Sequence, residues 1–197
     1  MGRIKTINDA EILHQARKAF RESGHAASTR EIARAAGISQ AVIYQRFGSK
    51  EDLFCLAMTP EQPDLESLLG PYPPRSARAD LKRIGERLAE YLGALLPTLL
   101  HVLAHPDLGH ARLAKWHAKL PFQVLASALT ERFQRLADDG LVGKVAPSAA
   151  ARAFLAAVHS AAILETMAHG APHHGGGLAP LIEVLWNGLA PRRSGRE

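Results

Sequence analysis

Residues 29–54, TREIARAAGISQAVIYQRFGSKEDLF, gather side chains suited to reading a polyanion with information in it. A glutamine can bond adenine bidentately, and an arginine can meet guanine edges or phosphates. Tyrosine and lysine suit the sugar-phosphate backbone. Here Gln40, Ala41, Tyr44 and Gln45 fall around one face of a short helical pattern, with Arg30, Arg46 and Lys50 close by in sequence. No comparable set supports catalysis. The G-x-S-x-G, H-E-x-x-H, Walker and dinucleotide fingerprints do not occur, so neither an enzyme nor a cofactor is expected. The single cysteine, Cys55, excludes an intrachain disulfide and a four-cysteine metal site. His101 and His105 have the i, i+4 spacing of metal ligands, and His110, His117, His159, His169, His173 and His174 add to the count. With no cysteine near them and few carboxylates, they read as core, surface and loop residues and no metal is assigned.

Two short helices must position that face. Asn8 and Glu11 have capping-box spacing ahead of a first helix whose apolar face is Ile12, Leu13, Ala16, Ala19 and Phe20, with Gly24 as its stop. Ser28 and Glu31 repeat the box before a second helix that turns Ile32, Ala33 and Ala36 inward. Gly37 can supply a positive φ for the turn, and small Ala33 permits close crossing. Ser39 caps a third helix, held inward by Ile38, Ile43 and Phe47 and broken by Gly48. Ser49 opens a fourth, SKEDLFCLAM, that continues the core through Leu53, Phe54 and Ala57. Two helices joined in this way make a helix-turn-helix. Its second helix fits the major groove with its N-terminal residues on base edges. The amino end of the fourth helix is an anion site in its own right.

Composition is consistent with this. The 197 residues are 47% hydrophobic, enough for a sizeable core. The net charge of +5 permits an anionic partner. It is denser at the start, where residues 1–58 hold nine Lys/Arg against six Asp/Glu. Arg3 and Lys5 read as a solvated arm. MGRIKT fits the myristoylation pattern only weakly. No signal-peptide h-region is seen, and the longest apolar stretch, LGALLPTLLHVLA, is too short to span a bilayer. A cytoplasmic location without membrane attachment is expected.

Beyond residue 58 the chain again reads as helices. Residues 60–76 carry five prolines and read as a linker around a short helical turn. Helices are expected at about 77–104 with a kink at Pro97, at 107–116 entered through Pro106, at 119–138, at 147–170 from Ser148, and over LAPLIEVLWNGLA. APHHGGG reads as a loop and PRRSGRE as a solvated tail. The fold class is therefore all-α, with a helix-turn-helix domain at 1–57 and a helical regulatory domain at 58–197.

The helix at 147–170 is apolar on nearly every side. Six alanines, at 149, 153, 156, 157, 161 and 162, permit close approach, while Phe154, Leu155, Val158, Ile163 and Leu164 supply area. With Leu181, Ile182, Leu185 and Trp186 of the last helix it is expected to form a homodimer interface. Tyr91, Leu95, Leu99, Trp116, Phe122, Leu125, Phe154, Val158 and Met167 are either core or the lining of a ligand cavity.

The stretch at 29–53, preceded by a helix ending in AFRESG, resembles the DNA-binding domain of TetR-family (tetracycline-repressor-like) regulators over about residues 8–57. The A-G-I-S, Y-x-x-F and S-K-E-x-L elements stand in the family's order and spacing. The resemblance implies a homodimer on a palindromic operator in double-stranded DNA, usually a repressor, released by a small-molecule effector in the C-terminal domain. By position, Arg30 and Gln40 resemble base-reading residues, and Tyr44, Arg46 and Lys50 resemble backbone-contacting ones. Arg46 departs from the family, which usually has histidine or another non-guanidinium residue there. Ser28, Thr29, Ser39, Ala41 and Gln45 complete the candidate DNA-contact set. A metal-responsive regulator and a helical adaptor dimer that does not bind DNA are the alternatives.

Overall fold

A computed structural model describes residues 7–168 and 177–190. Arg3, Lys5, MGRIKT, His169, His173, His174 and the PRRSGRE tail lie outside the described residues. Among those described, every regular element is helical. In chain order they are α1 (Asp9–Ser23), a 3-10 turn (Gly24–Ala26), α2 (Thr29–Ala35), α3 (Gln40–Phe47), α4 (Lys50–Ala57) and α5 (Leu65–Leu69). Then follow α6 (Ala77–Leu103), α7 (His110–His117), α8 (Phe122–Asp138), α9 (Pro147–Met167) and α10 (Leu178–Leu189).

The chain divides into two compact units, Met1–Glu61 with Pro97–Leu120, and Gln62–Leu96 with Pro121–Glu197. Helix α6 contributes to both and runs without interruption through Pro97, where the division falls.

In the first unit the caps do much of the local work. Asn8 Oδ1 accepts from the Glu11 amide at 2.8 Å, Ser39 Oγ from Val42 at 3.4 Å and Ser49 Oγ from Asp52 at 3.0 Å. Ser28 stands at the N-cap of α2 but makes no side-chain cap, so the second capping box does not form. Ile12, Ala16 and Phe20 of α1 are completely buried, and the Phe20 ring meets Phe54 of α4 edge-on at 4.9 Å. Arg17 of α1 closes the end of α4, its Nε donating to the Ala57 carbonyl at 2.7 Å. Helix α7 begins at His110 rather than at Pro106, because Pro106 lies in a turn stabilised by the Asp107 amide donating to His105 Nδ1 at 3.2 Å.

The second unit is built on one apolar cluster that runs from Leu81, Ile84 and Leu88 of α6 through Phe133 of α8 to Phe154 and Val158 of α9 and Ile182 of α10. Gly85 permits the closest approach, since a Cβ there would lie 2.5 Å from Ile182 Cδ1. Helix α9 is long and apolar enough to cross a membrane by length and composition. Its Ala150, Ala151, Phe154, Leu155, Val158, Ala161 and Ala162 are buried within this unit. Phe154, Leu155, Val158, Ala161, Ala162 and Ile182, expected at a subunit interface, are thus covered by their own chain. The uncovered side of α9 carries Ala149, Ala153, Ala156, Leu164 and Met167 instead.

A charged knot ties α6 to α8. Asp80, almost completely buried, accepts from Arg132 Nε and Nη2 at 3.0 and 2.7 Å through one oxygen and from Arg83 Nη2 at 2.6 Å through the other. Removing the carboxylate leaves a buried guanidinium without its counter-charge. Asp80→Ala is therefore expected to cost about 3–5 kcal/mol in urea unfolding. Arg78→Ala, which breaks an exposed, solvent-screened pair with Glu183, is expected to leave stability nearly unchanged. Equal losses for the two variants would show that the knot has no special role.

Candidate nucleic-acid interface

Helix α3 is fixed in rotation by two side chains one turn apart. Ile43 is fully buried and Phe47 nearly so. Val42 is half-buried, and Ser39, Gln40, Ala41, Tyr44, Gln45 and Arg46 are exposed. The turn before it uses Gly37 at φ 69°, with the Ile7 side chain resting over that position. The Ile38 amide donates back to the Ala33 carbonyl at 3.0 Å and closes the turn. An eight-residue helix is about 12 Å long, close to the width of the major groove.

The outward side chains are ordered by one another. Thr29, buried at the start of α2, takes a 2.7 Å hydrogen bond from Gln40 Nε2 and shares one of 3.1 Å with the Tyr44 hydroxyl. Gln40 Nε2 also lies 3.4 Å from that hydroxyl. The carboxamide nitrogen is thereby engaged inside the protein. A glutamine carboxamide oxygen can accept from the exocyclic amino group of adenine in the major groove. Arg30 is exposed on α2, Ser28 is half-buried beside it, and Lys50 sits half-buried in the first turn of α4.

Arg46 is engaged elsewhere. Its Nη1 donates to the Ile7 carbonyl at 2.7 Å and to Asp9 Oδ1 at 3.1 Å, tying the end of α3 to the start of α1. This explains the arginine at a position where the resemblance leads one to expect another residue. Nothing in the sequence signalled this pairing or the part played by Thr29, because both depend on contacts between helices.

Helix α4 is braced from behind. The Ser49 hydroxyl donates to Asp52 Oδ2 at 2.7 Å, and Arg112 of α7 donates to Asp52 Oδ1 at 3.1 Å. Chiefly the serine bond, and then the arginine, hold the Asp52 carboxyl below the usual carboxylate range against the effect of burial. Burial raises the Cys55 thiol, which suits a packing residue rather than a reactive one. His105 packs on Phe54 at 4.7 Å and near His25 at 5.5 Å. Desolvation and then the neighbouring imidazole lower its pKa. His101 Nδ1 lies 2.8 Å from the Pro97 carbonyl. The two histidines at metal-ligand spacing thus each have a protein partner. Among the described residues no group of three His, Cys, Asp or Glu is placed to hold a metal.

Of the nine candidate ligand-contact residues, Met167 is exposed on α9, and the other eight are divided between the units. Leu99 and Trp116 belong to the first, and Tyr91, Leu95, Phe122, Leu125, Phe154 and Val158 to the second. Leu125, Phe154 and Val158 are buried in the core cluster, with Tyr91, Leu95 and Phe122 partly buried against it. Phe122 also meets His159 edge-on at 5.0 Å.

Thr29→Val keeps the shape of the side chain and removes its hydrogen-bonding oxygen. The expected result is a loss of about 1 kcal/mol in unfolding free energy and a shift of the Gln40 carboxamide resonances toward those of a solvated glutamine. If stability and resonances were unchanged, Thr29 would not be what holds Gln40.

Residues 12–55 match the family model of bacterial regulatory proteins, tetR family. A putative TetR-family transcriptional regulator from Mesorhizobium loti superposes with a TM-score of 0.69 at 22% identity, covering 92% of this chain and 96% of its own. GusR of Salmonella enterica gives 0.63 at 22% identity, covering 89% and 92%. FadR from Bacillus subtilis, solved with stearoyl-CoA, gives 0.63 at 16% identity, covering 92% and 99%. No curated protein sequence matches the chain. The segment that carries the helix-turn-helix thus matches the tetR family of bacterial regulatory proteins, and the whole chain shares the fold of the solved structures.

Proposed function

We propose that the protein is a homodimeric repressor that binds a palindromic operator through α3 and releases it when a small molecule occupies the second unit. The observation that carries the DNA-binding part is the exposed face of α3. Its rotation is set by Ile43 and Phe47, and its glutamine is already oriented by Thr29. Gln40 reads a base, Lys50 meets phosphate together with the amino end of α4, and Arg30, Tyr44 and Gln45 flank them. Arg46 acts as a brace for α1 rather than as a DNA contact. A cytoplasmic location accords with this role. The stearoyl-CoA held by the Bacillus regulator supports the view that this fold can accommodate an effector.

The partner in the dimer is a second copy. Leu164, Met167 and Val184 are 59%, 62% and 70% exposed, large apolar side chains on α9 and α10 that a single chain leaves in water. Ala149, Ala153 and Ala156 on the same side of α9 allow another helix to approach closely. Two such pairs give an isologous four-helix packing. Its two-fold axis sets the recognition helices one DNA turn or a multiple apart, roughly 34–36 Å per turn.

Selection from random DNA supplies the operator, and single-base variants of it then test the roles of the residues. Gln40→Ala is expected to cost about 1–3 kcal/mol and to relax preference at one base pair per half-site. Lys50→Ala is expected to weaken all variants alike and to lower the salt slope by about one unit per site. A uniform loss across the panel from Gln40→Ala would remove its base-reading role.

For the dimer, the wild type is expected to sediment at twice 21.3 kDa at micromolar concentration, and Val184→Glu as a monomer with its helical content intact. A wild-type monomer that still bound a palindrome tightly would contradict the dimer.

A further inference from the structure

We propose that His105, in the turn between α6 and α7, is a proton-operated latch of the first unit: its neutral ring holds that turn against α4, and its protonation in mild acid loosens α4 and weakens the grip on DNA. The effect on DNA rests on the function proposed above; the latch itself does not. His105 is 7% exposed, and its Nδ1 accepts from the Asp107 amide at 3.2 Å. An N–H donor at that nitrogen requires it to be bare, so the ring is neutral with its proton on Nε2. The His105 amide also donates to the Val102 carbonyl at 3.3 Å, closing the end of α6.

The ring joins several elements of one unit. It packs on Phe54 of α4 with the ring centres 4.7 Å apart, and Phe54 in turn meets Phe20 of α1 edge-on at 4.9 Å. His25 of the 3-10 turn stands 5.5 Å from it. Beyond the turn, Arg112 of α7 donates to Asp52 Oδ1 at 3.1 Å, so a turn that shifts also disturbs the brace of α4. Lys50 lies in the first turn of that helix.

A proton on Nδ1 sets two donors against each other and places a charge in a site nearly closed to water. The charged and titratable groups that act on the ring are His25 of the 3-10 turn, Asp107 of its own turn, and Glu51 and Lys50 of α4. Desolvation first, and then the His25 imidazole, holds the ring below the ordinary histidine range, and Asp107 and Glu51 offset only part of this. The stability that the neutral ring supplies is therefore complete above about pH 6.5 and is lost as pH falls from there toward the folded-state value. Asp52 stays charged over that interval, because its carboxyl lies below the usual carboxylate range.

The test compares the full chain with its His105→Asn variant, whose amide oxygen can take the Asp107 bond but not a proton. Nuclear magnetic resonance of isotope-labelled histidine in the free wild type is expected to place the His105 proton on Nε2 at about pH 7.5 and its titration below the ordinary histidine value of about 6.5. Between about pH 7.5 and about pH 5.5 the wild type is expected to lose about 2–4 °C more in melting temperature than His105→Asn, and about threefold more affinity for its selected operator. Both proteins carry the other histidines, so their titration cancels in the comparison. A proton on Nδ1 at the higher pH, a midpoint at or above the ordinary value, or the same pH dependence of melting in the two proteins overturns the latch. The same pH dependence of operator affinity overturns its action on DNA. Should His105→Asn fail to fold, the wild-type titration decides alone. A wild type that binds no DNA at either pH fails the function proposed above, and the resonance and melting measurements still decide the latch.

Discussion

The first unit depends on the burial of Ile43 and Phe47. A helix of two turns has almost no stability of its own, so packing decides where it points. With both side chains in the core, α3 cannot roll without exposing one of them, at a cost of about 1.5–3 kcal/mol each. Everything on the outer face inherits that constraint. Gln40 and Tyr44 lie one turn apart because the helix places them so, and Thr29 can reach both because α2 crosses at small Ala33. The bracing of α4 by Arg17 at one end and by Ser49, Asp52 and Arg112 at the other holds the surface against which α3 rests.

The second unit is organised on different terms. Its apolar cluster supplies the stability, and Gly85 lets α10 settle on α6. The Asp80 knot fixes α6 against α8 through a carboxylate shared by Arg132 and Arg83. Of the two arginines, Arg132 also reaches the Pro71 carbonyl and stands over the Tyr72 ring, which ties the segment before α6 to α8.

Much of the first unit was legible in the sequence because its signals are local. Caps at Asn8, Ser39 and Ser49, stops at Gly24 and Gly48, and the inward pattern from Ile12 to Phe54 all depend on neighbours a few residues away. Ser28 has the same cap pattern and fails. In α9 the composition could not say which apolar side chains the chain would cover itself. Phe154 and Val158 turned inward, while Leu164 and Met167 remained outside. The bonds from Arg46 to Ile7 and from Arg132 to Asp80 join residues 39 and 52 positions apart, beyond any local rule.

The central claim is that the exposed face of α3 enters the major groove. An affinity-cleavage measurement tests it directly. Ala41, exposed in the middle of that face, is replaced by cysteine and charged with an iron–EDTA reagent, while buried Cys55 remains unlabelled. On its selected operator the labelled protein should cut DNA in two clusters related by the dyad, each centred in the major groove of a half-site. Cleavage spread evenly along the duplex, or no stronger than from a label at exposed Glu22 on α1, would contradict the account.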